Sequence, residues 1–176
     1  MKFNDTPLRG SCVVEPERLA DERGFFARIF EPREFEAHGL NPRVAQGSLS
    51  FNGRKGTLRG MHYQRAPFEE AKLVRCTRGA IHDVIIDLRP SSTTFRRHFA
   101  VVLDSESRRM LYVPEGFAHG FLTLADDTEV AYQMSEVYSP AHAAGVRWDD
   151  PAFGIAWPGP VAVIAERDRT YPDFRG

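Results

Sequence analysis

Four side chains in this sequence have the types needed to remove and return a proton at carbon: His62, Lys72, Tyr132 and Asp168. A carbon acid reacts when three groups converge on it, namely a base, an acid on the opposite face, and a cation or donor beside the oxygen that becomes an enolate. An imidazole titrates near neutral pH, which makes His62 the candidate base. Lys72 follows after a short loop, so the chain can turn back and place an ammonium near His62.

The other two residues supply complementary functions. Tyr132, in the string TEVAYQM, offers a phenolic proton. Asp168, in ERDRTYP, can hold the imidazole tautomer and stabilise its protonated form. Each of the four also has an ordinary structural interpretation: a hydrogen-bonded core histidine, a packed tyrosine ring, a solvated lysine, and a surface ion pair of Asp168 with Arg169. Considered singly, none of them establishes a function.

The spacing of the histidines disfavours a metal site. Metal-binding cupin-like barrels usually place two His one residue apart on a strand, a Glu shortly after, and another His on a later strand. Here the strand reads GMHYQ, so the second His beside His62 is missing and His119 is left as the later ligand. Two His and an undefined carboxylate make a poor site, so we expect no metal. The remaining histidines show no pattern and are predicted to be structural or exposed: His38, His82, His98 and His142.

The elements that must position these residues are predicted to be mostly strands. Two β-branched runs within residues 72–88 meet at Arg78-Gly79, which predicts a hairpin. Further strands are predicted over residues 98–103, 108–113, 119–124 and 128–134, with turn residues between them. Many short strands at this spacing are typical of a sandwich or jelly roll.

Two other segments differ from this pattern. One helix is predicted from Pro32 to about His38, because proline suits an early helical position and Gly39 ends the helix. Residues 139–160 form a long irregular stretch that contains Trp148 and Trp157. Such segments often serve function or cover a core.

Composition limits the class of protein. The 176 residues are 42% hydrophobic and 27% charged, which fits one soluble globular domain. A net charge of -1 argues against a nucleic-acid or membrane-surface partner and leaves a small anionic ligand open, since several arginines cluster. No apolar run approaches the roughly 20 residues of a membrane span, and the N-terminus lacks a signal-peptide pattern. With Cys12 and Cys76 outside any CxxC pair, we expect a cytoplasmic protein with free thiols; a single disulfide is the alternative.

Longer strings of residues resemble one known family, the dTDP-4-dehydrorhamnose 3,5-epimerases. The matching strings run in order along nearly the whole chain, and the combination of LRGxHxQ with PEGFAHGF is specific. They are DERGFFAR (21–28), GTLRGMHYQ (56–64), KLVRCTRGAIHDVIIDLRP (72–90), VPEGFAHGF (113–121), AYQMSEVYSP (131–140), GVRWDDPAFGIAWP (145–158) and ERDRTYPDF (166–174).

This resemblance implies a fold and an assembly. It implies a mainly β protein, a single cupin-like jelly-roll β-sandwich or barrel over residues 1–176 with a few short helices. It also implies a homodimer in which the N-terminal segment, about residues 1–30, is exchanged with the partner. The implied substrate is a nucleotide-linked 4-keto-6-deoxyhexose. The implied chemistry uses neither a metal nor a cofactor, which agrees with the lack of a GxGxxG string.

The resemblance further implies roles for single residues. His62 matches the family's base, Asp168 its carboxylate partner, Tyr132 the acid on the far face, and Lys72 the group near the 4-keto oxygen. The implied substrate-binding residues are Arg59 for the diphosphate, Arg23 and Phe26 in the segment lent to the partner, Gln46 and Tyr138 for the nucleotide with Tyr138 stacking on the base, and His119 lining the pocket.

Two features depart from the family pattern. Where many members have Gln-x-Asn-x-Ser, this chain has the sequence QGSLS from Gln46, so a hydroxyl replaces an amide at Ser48, a substrate-binding position. Strand alternation also places Arg59 and His62 on opposite faces, although the site needs both. Either a bulge near Gly60 or a reach around the barrel mouth would bring them together.

The sequence therefore predicts an epimerase that inverts C3 and C5 of dTDP-4-dehydro-6-deoxy-D-glucose to give dTDP-4-dehydro-L-rhamnose. One alternative is an enzyme that inverts a single carbon of a related nucleotide sugar, which the change at Ser48 favours. Another is a sugar-nucleotide-binding protein without catalysis or a metal-dependent cupin. The joint presence of His62, Lys72, Tyr132 and Asp168 weighs against that third hypothesis, because a binding protein has no need of all four.

Overall fold

A computed structural model describes residues 1–175 of the chain. Strands dominate and two short helices accompany them. In chain order the elements are β1 (Lys2–Asp5), β2 (Cys12–Glu15), β3 (Arg18–Asp21), β4 (Gly24–Ala27), α1 (Pro32–Ala37), β5 (Gln46–Asn52), β6 (Thr57–Gln64), β7 (Lys72–Arg78), β8 (Ala80–Asp87), β9 (His98–Asp104), β10 (Met110–Val113), β11 (Phe117–Thr123), β12 (Thr128–Met134), β13 (Ala143–Gly145), β14 (Val163–Ile164) and α2 (Glu166–Arg169).

The strands form two sheets that pack face to face. The first sheet has the order β1-β2-β10-β7-β12-β5, and every pairing in it is antiparallel. The second has the order β13-β6-β11-β8-β9, with β14 joined parallel to β6. Strands β3 and β4 pair only with each other and form a separate hairpin. The predicted mainly β, jelly-roll-like fold is confirmed. The predicted hairpin at Arg78-Gly79 is wrong: a turn there joins β7 to β8, but the two strands lie in different sheets and pair with other strands, so the chain crosses from one sheet to the other.

The main core lies between the two sheets. Alternate residues of facing strands fill it, as expected for sheets with one inward face. Val74 and Val130 come from the first sheet, and Ile85 and Phe121 from the second. Two smaller clusters cover the outer faces: Phe35 of α1 packs near the first sheet, and Val146 and Phe153 pack on the second. The irregular segment 139–160 therefore covers a core.

Helix α1 begins and ends as its sequence predicts. The Glu31 side chain caps its N-terminus by accepting a hydrogen bond from the Glu34 amide, and Pro32 occupies the first turn. Gly39 follows with a φ of 71°, a left-handed conformation that suits glycine and ends the helix.

A β-bulge in β6 sets the faces of two predicted site residues. His62 pairs with His119 of β11, and Arg59 pairs with Phe121, so three steps along β6 oppose two along β11. Because cross-strand partners share a face, Arg59 and His62 both point between the sheets. This confirms the bulge near Gly60, one of the two solutions that the sequence left open. The strands approach so closely there that a Cβ on Gly60 would lie 2.5 Å from the Gly120 Cα.

Candidate active site

A histidine–aspartate dyad lies at the centre of the site. His62 comes from β6 and Asp168 from α2, and His62 Nε2 lies 2.7 Å from Asp168 Oδ1. Asp168 is almost fully buried, and its Oδ2 accepts a 3.2 Å hydrogen bond from the Gly60 amide. The bulge in β6 therefore positions both His62, the predicted base, and the Gly60 amide that donates to Asp168.

The environment of Asp168 determines the tautomer of His62. Burial disfavours the carboxylate, but hydrogen bonds from His62 and Gly60 and the charge of Arg167 outweigh burial, so the pKa of Asp168 lies below its ordinary value. An ionised carboxylate only accepts hydrogen bonds, so His62 Nε2 carries a hydrogen. The neutral ring then has its lone pair on Nδ1, the nitrogen available to take a proton from a substrate.

Two residues beside the dyad, Arg167 and Tyr171, are absent from the sequence prediction. Arg167 Nη2 lies 3.2 Å from His62 Nε2, and its Nε lies 3.4 Å from Asp168 Oδ1. The Tyr171 ring stands edge-on to the imidazole, with centroids 6.5 Å apart. It packs so closely on Gly145 that a Cβ there would lie 2.3 Å from the ring. Both residues lie in the string ERDRTYP, from which the sequence analysis selected only Asp168.

Lys72 is buried instead of solvated. Its Nζ lies 3.1 Å from Glu70 Oε1 and 3.5 Å from the carbonyl oxygen of His62. The structure therefore places an ammonium near His62, as the short loop between β6 and β7 predicted. Glu70, its partner, was not among the predicted residues.

Tyr132 and His119 line the interior from opposite sheets. The Tyr132 hydroxyl lies 3.2 Å from Ser50 Oγ, and burial raises the pKa of the phenol well above its ordinary value, so the ring holds its proton. The His119 ring stands edge-on to Tyr132 at 6.2 Å. Its Nε2 lies 2.8 Å from Oδ1 of the fully buried Asp83. Asp83 is a fourth residue that sequence analysis missed; it lies in β8, a strand made mostly of apolar residues.

The predicted nucleotide-binding residues Gln46 and Tyr138 contact each other at the start of β5, and Arg59 lies near its end. The Tyr138 amide donates to Gln46 Oε1 at 2.9 Å, and Gln46 Nε2 lies 3.5 Å from Ser48 Oγ. Ser48 is the cross-strand partner of Tyr132. Arg59 is oriented by a 2.7 Å hydrogen bond from its Nε to Asn52 Oδ1. The Tyr138 ring is 54% exposed and free to stack on a ligand.

Arg23 and Phe26 do not join this group within one chain. They lie on the β3–β4 hairpin, where Arg23 pairs with Asp21 and Phe26 is 64% exposed. Neither lines the two cavities around the dyad. One of these, about 180 Å³, is lined by residues that include His62, Lys72, Tyr138 and Tyr171. The other, about 310 Å³, is lined by residues that include Arg59, His62 and Asp168.

A larger cavity of about 550 Å³ lies elsewhere, beneath the β3–β4 hairpin. Phe25, Phe26, Arg75 and Arg108 contribute to its walls, and it contains none of the predicted acid–base residues. The cavity beneath the hairpin is therefore larger than either cavity lined by His62. Over residues 1–175, no three His, Cys, Asp or Glu side chains cluster in a way that could hold a metal ion.

Comparison with known proteins matches the chain to one family along nearly its whole length. The family model described as dTDP-4-dehydrorhamnose 3,5-epimerase matches residues 5–176. A protein of that name from Methanothermobacter thermautotrophicus is 43% identical over 177 residues, covering 99% of this chain and 95% of the relative. A crystal structure of dTDP-4-dehydrorhamnose 3,5-epimerase from Bacillus anthracis with TDP and PPi bound superimposes with a TM-score of 0.94 at 37% identity, covering 98% and 99% of the two chains.

The structural relatives also include an enzyme with a narrower activity. A 3'-monoepimerase from Streptomyces bikiniensis, solved in complex with dTDP-quinovose, has a TM-score of 0.88 at 35% identity, covering 97% of this chain and 86% of that one. Both kinds of relative thus share this fold.

Proposed function

Because the chain belongs to the dTDP-4-dehydrorhamnose 3,5-epimerase family, we propose that it inverts C3 and C5 of dTDP-4-dehydro-6-deoxy-D-glucose to give dTDP-4-dehydro-L-rhamnose. It is an isomerase of the epimerase class. The observation that carries this proposal is the 2.7 Å His62–Asp168 dyad, which opens onto a cavity shared with Lys72.

His62 acts as the base in this proposal. Its Nδ1 takes the proton from C3 or C5, and Asp168 stabilises the imidazolium that forms. The electrons of the broken C–H bond move toward the C4 ketone and give an enolate. Lys72 supplies a positive charge for that oxygen, a stabilisation that is strongest in the transition state. Since C3 and C5 both flank C4, the same two groups serve both inversions.

Tyr132 returns a proton to the opposite face. His62 projects from the second sheet and Tyr132 from the first, so the two residues face the interior from opposite sides. The buried phenol stays protonated until the carbanion takes its hydrogen. The phenolate and imidazolium then exchange protons with solvent, which restores the enzyme. His119 lines the same space next to Tyr132.

The remaining predicted residues bind the nucleotide portion. Arg59, fixed by Asn52, contacts the diphosphate, and the exposed ring of Tyr138 stacks on the base. Gln46 and Ser48 lie next to Tyr138 and form hydrogen bonds with the nucleotide.

The chain works as a homodimer of single-domain subunits in this proposal, with the N-terminal segment of about residues 1–30 exchanged between them. Two observations support this. The β3–β4 hairpin is a two-stranded unit with Leu19 68% and Phe26 64% exposed, and such a hairpin is marginal by itself. The edge strand β5 also exposes Leu49 and Phe51, and an exposed apolar patch of this kind marks an interaction surface.

We assign the cytoplasm as the compartment. Cys12 and Cys76 are both free and buried, as expected in a reducing environment. In the described part of the chain, no helix is long and apolar enough to cross a membrane.

A second candidate, inversion of a single carbon, is favoured by two observations. Ser48, where the family pattern described in the sequence analysis has an asparagine, is the cross-strand partner of Tyr132. A 3'-monoepimerase shares the fold. In this alternative, the shorter side chain of Ser48 holds the singly inverted sugar for less time. The sugar then leaves before it can rotate and bring its other carbon, C3 or C5, to His62.

Proton NMR in deuterated water separates the two candidates. We expect the enzyme to incorporate deuterium at both C3 and C5 of dTDP-4-dehydro-6-deoxy-D-glucose without any reductase present. Incorporation at one carbon would support the single-carbon epimerase. Absence of exchange at either carbon would contradict the proposed function.

A further inference from the structure

Glu70 lies in the loop between β6 and β7 and contacts the ammonium that the mechanism uses. Its Oε1 is 3.1 Å from Lys72 Nζ, and the two side chains are only 11% and 10% exposed. Lys72 Nζ also lies 3.5 Å from the His62 carbonyl oxygen. Glu70, Lys72 and His62 line the same cavity.

A lysine ammonium needs such a partner to hold one position. It is a compact charge on a flexible four-carbon stem with three rotatable donors. Burial removes much of the water that would otherwise solvate it, and a carboxylate in contact compensates for that loss. The neighbouring carbonyl of His62 accepts only one of the three hydrogens.

Glu70 is itself held by a fixed part of the structure. Gln64, buried in β6, lies 3.3 Å from Glu70 Oε2 through its Nε2 and also donates to the Phe68 carbonyl at 2.9 Å. The next residue, Ala71, donates its amide to Ser135 Oγ at 2.8 Å. The loop that contains Glu70 is therefore tied to both sheets.

We propose that Glu70 is a positioning residue that fixes the Lys72 ammonium beside the reacting carbons. This inference rests on the proposed function, because it concerns the charge that stabilises the enolate. Stabilisation of a developing charge depends on groups that are already in place before the reaction. A displacement of about 1 Å is enough to lower a rate by about 10²-fold. Glu70 thus affects proton abstraction more than substrate binding.

The test compares Glu70→Ala and Glu70→Gln with Glu69→Ala, a matched control at the adjacent exposed glutamate. Turnover, KM, deuterium incorporation at C3 and C5, and melting temperature are measured for each. We expect Glu70→Ala to lower kcat and both exchange rates about tenfold, with KM within about twofold of the parent enzyme. Glu70→Gln keeps an oxygen that accepts from the ammonium, so it should lose less than about threefold. Glu69→Ala should match the parent.

A second measurement needs no substrate. The chain contains only three lysines, Lys2, Lys55 and Lys72. In 15N NMR of the lysine side chains, the paired ammonium of Lys72 should give a resolved signal in the parent and in Glu70→Gln. The signal should broaden or vanish in Glu70→Ala.

The outcomes separate this inference from the function on which it rests. No exchange by the parent enzyme contradicts the proposed function, and the Lys72 signal then decides the Glu70 inference alone. An active parent with an equally active Glu70→Ala variant overturns the role of Glu70. An increase in KM alone, or equal losses in the Ala and Gln variants, also overturns it.

Discussion

At the scale of single residues, the ionisable groups of the candidate site lie in unequal environments. Asp168 is held ionised by His62, Gly60 and Arg167, and it therefore fixes a hydrogen on His62 Nε2. Tyr132 has the opposite environment, in which burial keeps the phenol neutral. A base and an acid in two such environments perform different steps at one pH.

Replacing Tyr132 by Phe should separate proton removal from proton return. We expect net inversion to fall by about 10²-fold or more, because the far-face acid is lost. Exchange of substrate protons with solvent should fall much less, since His62 is intact. NMR in deuterated water measures both quantities in one sample. Equal losses of exchange and inversion would contradict the role of Tyr132 as the acid.

Sequence analysis selected some of these residues and did not select others, for a physical reason. The types of His62, Lys72, Tyr132 and Asp168 are informative by themselves, and their strings resemble a family. Partners such as Glu70, Asp83 and Arg167 act through contacts that depend on folding: Arg167 touches His62 across 105 positions of sequence. No local pattern reports such a contact.

At the scale of elements, strand β8 contains a histidine, His82, whose surroundings differ from those of His62 and His119. Those two histidines each contact an aspartate. His82 points to the outer face, beneath the segment 139–160, with its ring 6.0 Å from Trp157. Its buried Nε2 has no hydrogen-bond partner in the part of the chain that the structure describes. Burial lowers the pKa of His82, and nearby His98 lowers it further despite the opposing effect of Asp83.

This environment predicts a pH-dependent stability. The folded protein disfavours protonated His82, whereas the unfolded chain takes up that proton near pH 6.5. The contribution is therefore fully present above about pH 6.5 and is lost as the pH falls toward the lowered folded-state pKa. Between pH 7 and pH 5, His82→Phe should lose about 2–4 °C less in melting temperature than the parent. Calorimetry measures this, with exposed His38→Gln as control; the same pH dependence in His82→Phe and parent would refute it.

Regular elements were the most predictable part of the fold. The prediction of a strand over residues 128–134 coincides with β12, since its alternation is clear and turns flank it. Strands β3 and β4 were missed because all or most of their residues are exposed, so no apolar alternation marks them. The bulge in β6 was predicted only as one of two solutions. Its location depends on the contact between Gly60 and Gly120, which are distant in sequence.

At the scale of the whole molecule, one chain lacks part of the predicted binding site. Arg23 and Phe26 remain on the exposed hairpin, away from the cavities that His62 lines. Exchange of this segment in a homodimer would place them in the neighbouring site. A sequence cannot report this arrangement except by resemblance, because a single chain contains no record of its partner's position.

Mixed dimers test the exchange directly. Arg23→Ala and His62→Ala homodimers should each be inactive or nearly so. If Arg23 acts in the partner's site, a mixed dimer keeps one intact site of its two, and a statistical mixture should regain about a quarter of the parent activity. Native mass spectrometry confirms that subunits have exchanged. No recovery in a sample that contains mixed dimers would show that Arg23 acts within its own chain.

If β6 had the same residues but no bulge, Arg59 and His62 could not both point into the candidate site. The extra residue at Gly60 shifts the alternation of side chains by one position partway along the strand. As a result, Arg59 before the shift and His62 after it both point to the interior. Straightening β6 with Gly60 still present would turn either Arg59 or His62 to the outer face, because residues three positions apart in a regular strand lie on opposite faces. An engineer who made β6 regular without changing its length would therefore remove one of the two side chains from the interior, and a transplant of this strand to another scaffold must keep the phase shift.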